Sequence, residues 1–180
     1  ETFSRVVETI IVSEADLSRL SGRFPWVRFL QAPGVGLVPH LWSAGIDVAK
    51  GKLIATTTSH FLPCSNYVDA AIEAHSRNPA DGIGGRINPP AAAGPAAWAV
   101  YLLRYSAYLG LGTQEVADFA GDNGVYKKAS LIPYLNLIRQ RGFWEHEMHQ
   151  LMLKNGATLS FDPTIEVRQI AAYAFLDFVN

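Results

Sequence analysis

The chain has 180 residues, 49% of them apolar and 17% charged, with a formal net charge of −1. That length and apolar content suit one α/β-sized domain with a substantial core, and the near-neutral charge argues against a basic face for nucleic acid. One cysteine, Cys64, leaves no internal disulfide framework.

The first element in chain order is the β-branched run 6–12, a buried strand, followed by a short helix over 13–20 with Ser13 as N-cap. A second strand covers 26–32. A helix over 39–51, closed by Gly51, leads into the strand that opens "KLIATTTSHFLP" (52–63). In 65–78 the residues Tyr67, Val68, Ala71, Ile72 and Ala74 share one face, the spacing of an amphipathic helix. "GIGGRI" (82–87) is a glycine-rich fourth strand, and 114–121 is a candidate fifth. Between them lies the greasiest stretch, 89–112. Its prolines at 89, 90 and 95 and its Arg104 make it a poor membrane span and a better buried or interfacial helix over 96–109. A helix over 128–140 should break at Pro133, a second over 143–156 ends on Gly156, and a last apolar helix covers 170–179.

Alternation of strands and helices at this spacing indicates βαβ units, a mostly parallel sheet and a single domain over 1–180. Ligands in such sheets gather at the carboxyl ends of the strands. That rim would carry Ser13 and Glu14, the tip 56–60 and the turn "GDN" (121–123). With no charged-then-apolar leader at the start, a cytoplasmic protein is expected, with 96–109 as a surface for a membrane or a protein.

Three stretches carry chemistry. The tip "TTTSH" offers hydroxyls and an imidazole, which suit a phosphate or a sugar as well as a simply capped strand end. In "GFWEHEMHQ" (142–150), Glu145 and His149 lie four apart on one helix face, and His146 and His149, three apart, can converge. The histidine spacing is wrong for a zinc-protease motif, which needs four, and a helix-stabilising surface pair is the plainer reading. "FAGDNGVYKK" (119–128) holds a tight turn with two polar side chains.

The ordered set "GKLIATTTSHFLP", "GIGGRI", "FAGDNGVYKK" and "GFWEHEMHQLMLKNGATLSFDP" resembles the family 2 glycosyltransferases of the GT-A fold over about Val7 to Val167. The resemblance implies an α/β sheet flanked by helices, a nucleotide-sugar donor, and a glycan or lipid-linked acceptor. It implies Glu14, Thr58, Ser59 and His60 on the donor side and Asp122, Asn123 and Trp144 on the acceptor side. Glu145 would be the general base, removing the acceptor hydroxyl proton.

The departures concern one site. Members of that family carry acidic residues at the strand tip for Mn²⁺ or Mg²⁺, whereas Thr57, Thr58 and Ser59 precede His60 here. "LWSAG" (41–45) stands where Ala-Arg-Asn-x-Gly is common, and Arg168 and Gln169 stand where a histidine often completes the metal set. Hard cations prefer anionic oxygen, so no metal ligand is assigned. Only seven residues precede Glu8, so the family's opening βα unit is expected to be missing from this stretch, by truncation or by loss. Three readings stay open: a glycosyltransferase in which His60, Arg168 or a lysine offsets leaving-group charge, a catalytically degenerate relative that binds a partner or glycan, and an unrelated α/β binding module.

Overall fold

The computed structural model describes residues 5–90 and 94–170. The expected helix over 170–179 lies outside the described residues, apart from Ile170. Strands β1 (Thr9–Ser13) and β2 (Val27–Gln31) form a parallel two-stranded sheet. Between them the expected helix after Ser13 is only a 3₁₀ turn, Ser18–Leu20. Its would-be cap is spent locally, since Ser13 Oγ accepts from the Ala15 amide at 3.1 Å and Asp16 Oδ1 from Ser18 at 2.8 Å. Such short side-chain turns compete with helix.

Helix α1 (Val38–Val48) starts with Pro39 in its first turn and stops three residues before Gly51, which is therefore not its cap. Strand β3 (Leu53–Thr56) follows, then β4 (Phe61–Pro63), α2 (Tyr67–Arg77) and β5 (Gly82–Asn88). The stretch 96–109 is helical as α3 (Pro95–Tyr105) and continues as a 3₁₀ turn, Ser106–Tyr108. No helix among the described residues is long and apolar enough to cross a membrane. The candidate strand over 114–121 shrinks to β6 (Gln114–Glu115). Beyond it the chain turns so that Phe119 lies over the glycines of β5 and Asp118 reaches the helix near the C-terminus.

Strand β7 (Gly124–Lys127) leads into α4 (Lys128–Leu131) and α5 (Leu135–Arg141), separated at Pro133 as expected. Helix α6 (Glu145–Lys154) and β8 (Leu159–Gln169) complete the described chain. Gly156, at φ +83°, closes α6 with its amide on Leu153 O.

The main sheet has the order β3-β7-β5-β8-β4, with β6 also on β8. Its longest pair, β5 with β8, is parallel, as is β1 with β2. The shorter strands β7, β4 and β6 run antiparallel to their neighbours. The expected α/β sheet flanked by helices is therefore what forms. Strand β8 tolerates Pro163 because the ladder skips from Asp162 to Glu166 opposite Gly85 and Arg86, so the proline sits in a bulge.

The sheet separates two cores. Phe61, Ala74, Ile83, Tyr101, Tyr105 and Val167 pack with α2 and α3. Ile54, Tyr126, Ile138, Phe143, Met152 and Leu159 pack with α1, α5 and α6. The alternation Val125 and Tyr126 on β7, one into each core, is the period-2 pattern of a strand buried on both faces.

Candidate functional site

The end of β3 meets the "GDN" turn and the start of α6. Thr56, buried, donates its hydroxyl to Gly121 O at 2.7 Å. The Trp42 indole N–H of α1 donates to Thr57 O at 2.9 Å. Gly121 is hemmed in, since a Cβ built there would lie 3.0 Å from the Trp42 ring and 3.1 Å from Glu145 Cβ. Strand tip, turn and helix start thus converge on one point. Gly142, at φ +87°, makes this entry possible, because it turns the chain from α5 into Phe143 and packs on the His40 ring.

Glu145 opens α6 and is half-buried. Burial raises its carboxyl above the usual range. The neighbouring Asp122 and Asp118 charges add to this, against its own backbone amide and His149. A carboxylate with its ionisation moved toward neutrality is suited to accept a proton. Trp144, just before it, is partly exposed and donates its indole N–H to Arg141 O at 2.8 Å.

The histidines of α6 do converge, and the residue that joins them is Asp118. Its carboxylate accepts from His149 Nδ1 at 2.5 Å and from His146 Nδ1 at 2.7 Å. Burial pushes Asp118 up, but the two histidine hydrogen bonds outweigh it and hold the carboxyl below its ordinary value. His149 is fully buried, and its Nε2 lies 2.9 Å from the Tyr126 hydroxyl. With Nδ1 donating to Asp118, Nε2 is placed to accept a hydrogen bond from that hydroxyl. Asp118 escaped the sequence reading because 114–121 looked like a strand. It lies 28 and 31 residues from the two histidines, so no local spacing marks it.

Asp122 and Asn123 are more enclosed than a solvent-facing turn suggests. Asp122 Oδ2 accepts from the Tyr105 hydroxyl at 2.7 Å and from Arg104 at 3.1 Å. The Asn123 side-chain amide is fully buried and bridges Arg86 O and Ile165 O, tying the turn to β5 and β8. Glu14 follows β1 and extends its carboxylate over Gly36, in the loop that leads into α1.

Around the rest of the tip the donors are neutral or basic. Ser59 and His60 are exposed, and His60 O accepts from the Ile170 amide at 2.8 Å. Gln169 pairs with Phe61 across the ladder and Arg168 with Leu62, so the end of β8 lies beside the tip. Thr58 Oγ1 and both side-chain amide atoms of Gln169 are buried without a hydrogen-bond partner among the described residues. Hydroxyls, an amide and a guanidinium do not fit a hard divalent cation, which needs anionic oxygen.

No described protein family matches the sequence, and no curated protein matches it either. Solved structures do match. The crystal structure of GalNAc-T7 with UDP, GalNAc and Mn²⁺ aligns at a TM-score of 0.63 and 12% identity, over 91% of this chain and 38% of that one. The mannosyltransferase PcManGT from Pyrobaculum calidifontis, in complex with GDP-Man and Mn²⁺, aligns at 0.59 and 13%, over 90% and 47%. The fold is GT-A-like. At these identities the likeness speaks for the GT-A-like architecture alone. The chain spans less than half the length of either solved structure.

Proposed function

We propose that this GT-A-like unit, related to family 2, transfers a sugar from a nucleotide-sugar donor to an acceptor hydroxyl without the usual divalent metal. The observation that carries the reading is Glu145, a half-buried carboxylate with raised pKa, packed on Gly121 where the β3 tip meets the turn. In the proposed step the acceptor oxygen attacks the anomeric carbon and gives its proton to Glu145. The bond from that carbon to the diphosphate oxygen breaks, and the nucleoside diphosphate leaves with the electron pair. Glu14, Thr58, Ser59 and His60 would line the donor side, with Arg168 and His60 offsetting the leaving charge. Asp122, Asn123 and Trp144 would lie on the acceptor side, Asp122 and Asn123 largely by shaping it. The protein would work in the cytoplasm.

The test is transfer from UDP-, GDP- or dTDP-sugars by Glu145→Gln. That variant should lose turnover by at least ~10²-fold, the scale of one general base, and still bind donor. Unchanged turnover would remove Glu145 as the base.

A second reading, a binding module without chemistry, is favoured by the neutral side chains of Thr58 and Gln169, which have no hydrogen-bond partner among the described residues, where charge compensation is needed. Donor binding without turnover by the unaltered chain, toward every acceptor tried, would select it.

A further inference from the structure

At the carboxyl end of β5, a cleft of about 100 Å³ opens between that strand and α3. Arg86, Asn88, Tyr101, Tyr105, Tyr108 and Leu109 line it. We propose that this cleft seats a pyranose ring of the acceptor, an inference that rests on the glycosyltransferase reading.

The lining matches the chemistry of a sugar. A pyranose has an apolar C–H face and a rim of hydroxyls, and the half-buried Tyr108 offers an apolar ring with a polar edge. Tyr101 and Tyr105 are nearly fully buried, with their hydroxyls on Ile87 O and Asp122. Arg86 and Asn88, two apart on β5, project to the same side of the strand. Both are held there by Glu166, at 3.6 Å from the guanidinium and 3.0 Å from the amide nitrogen. A guanidinium carries five N–H donors, more than one carboxylate takes up. Burial, helped by the negative charges of Asp118 and Glu145, pushes the Tyr108 hydroxyl up to about 12, so it remains a donor at any working pH.

The position matches an acceptor. Tyr105 donates to Asp122, Asp122 adjoins Gly121, and Gly121 packs on Glu145, so the cleft lies one short relay of contacts from the proposed base. The surroundings are also wrong for a second phosphate group. Asp118, Asp122 and Glu145 are acidic, while Arg104 and Arg86 are already paired with Asp122 and Glu166. A neutral hydroxyl suffers no repulsion there. An open cleft of about 100 Å³ is on the scale of the buried face of one ring.

The sugar can come free or as a lipid headgroup, since Leu102, Leu103 and Leu109 are exposed along α3 and just after it. Saturation-transfer NMR on the whole chain with methyl glycosides of glucose, galactose, mannose and N-acetylglucosamine should show transfer to the ring protons of at least one. Tyr108→Ala should weaken that binding tenfold or more, Tyr108→Phe, which keeps the ring and loses the hydroxyl donor, should weaken it several-fold, and Arg86→Gln, at an exposed position, should do the same. Nucleotide-sugar binding, measured separately, should be the same in all three variants. Absence of glycoside binding overturns the cleft even where donor binds, and so does binding that is indifferent to Tyr108 and Arg86. Glycoside binding that depends on those residues, in a chain that binds no nucleotide sugar, keeps the cleft and removes the transferase reading. Vesicles bearing a glycolipid of the same head sugar separate the sources. Retention displaced by free glycoside assigns the cleft a lipid-linked acceptor, retention on sugar-free vesicles alone overturns it, and glycoside binding without retention assigns it a free glycan.

Discussion

The acidic triplet Asp118, Asp122 and Glu145 sets the residue-scale behaviour. Glu145 has a raised pKa in the folded chain, so it is protonated at pH values where a solvated glutamate is already ionised. Turnover that uses it as a base should rise with pH along a limb displaced upward from the ordinary glutamate range, and Glu145→Gln should abolish that limb. The same raised value means that ionised Glu145 costs stability, so Glu145→Gln should leave the urea midpoint near neutral pH unchanged or slightly higher. Asp118 is the opposite case, because its pKa is lowered by His149 and His146. Its contribution is present above the unfolded value near 3.9 and is lost as pH falls through the lowered folded value. Asp118→Asn weakens the partner of the fully buried His149 and should destabilise the fold by about 1–3 kcal/mol in urea unfolding. An unchanged midpoint would show that His149 finds a substitute. The convergence of the two histidines was legible from helical spacing, whereas Glu145 was singled out as a base only by the family resemblance. Asp118 was not legible, because no periodicity connects a loop residue to a helix about thirty positions on.

At the scale of elements, the glycine-rich β5 shows what pattern reading reaches and where it stops. "GIGG" was legible as a strand, yet the reason for its glycines is tertiary. A Cβ on Gly84 would stand 2.3 Å from the Phe119 ring, and one on Gly85 would stand 2.2 Å from Ile165 O and 2.4 Å from the Asn123 amide. Gly85→Ala therefore collides with backbone in the bulge of β8 and with the side chain that anchors the "GDN" turn. It should cost at least the ~1–3 kcal/mol of an overpacked core and blunt any turnover, because the turn that supports Glu145 moves with it. Gly84→Ala meets the root of the fully buried Phe119 side chain, Cγ at 2.3 Å and Cβ at 2.4 Å, which cannot move away without its own backbone, so its urea midpoint should fall by a comparable amount. An unchanged midpoint in either variant would argue against close packing as the reason for these glycines. Strand β8 hid from the sequence for the same tertiary reason. No strand over 159–169 was assigned in chain order, and its parallel pairing with β5 on both sides of the bulge makes it one strand. The helix expected after Ser13 failed for the reverse reason, as local side-chain turns won over helix.

Across the whole molecule, the decisive question is whether a chain of net charge −1, with an acidic group of side chains beside its strand tip, can hold a donor diphosphate. A divalent ion is the usual answer in a fold of this kind, but the tip here supplies hydroxyls, an imidazole and the neighbouring Arg168 and Gln169 instead of carboxylates. If those groups suffice, a nucleotide sugar binds the folded chain equally well with Mn²⁺ or with EDTA. At a donor concentration 100 times its dissociation constant, binding stabilises the native state by about 2.7 kcal/mol. For a chain of this size that corresponds to a rise in melting temperature of roughly 5–10 °C. The expected result is a rise of that order with one of the UDP-, GDP- or dTDP-sugars, the same within a degree or so in Mn²⁺ and in EDTA. Arg168→Gln should cut the rise in both conditions. A rise that needs Mn²⁺ would mean that carboxylates reach the diphosphate through the ion, with Asp122 and Glu145 as the nearest candidates. That outcome would overturn the metal-free reading and remove Glu145 as a free base with it.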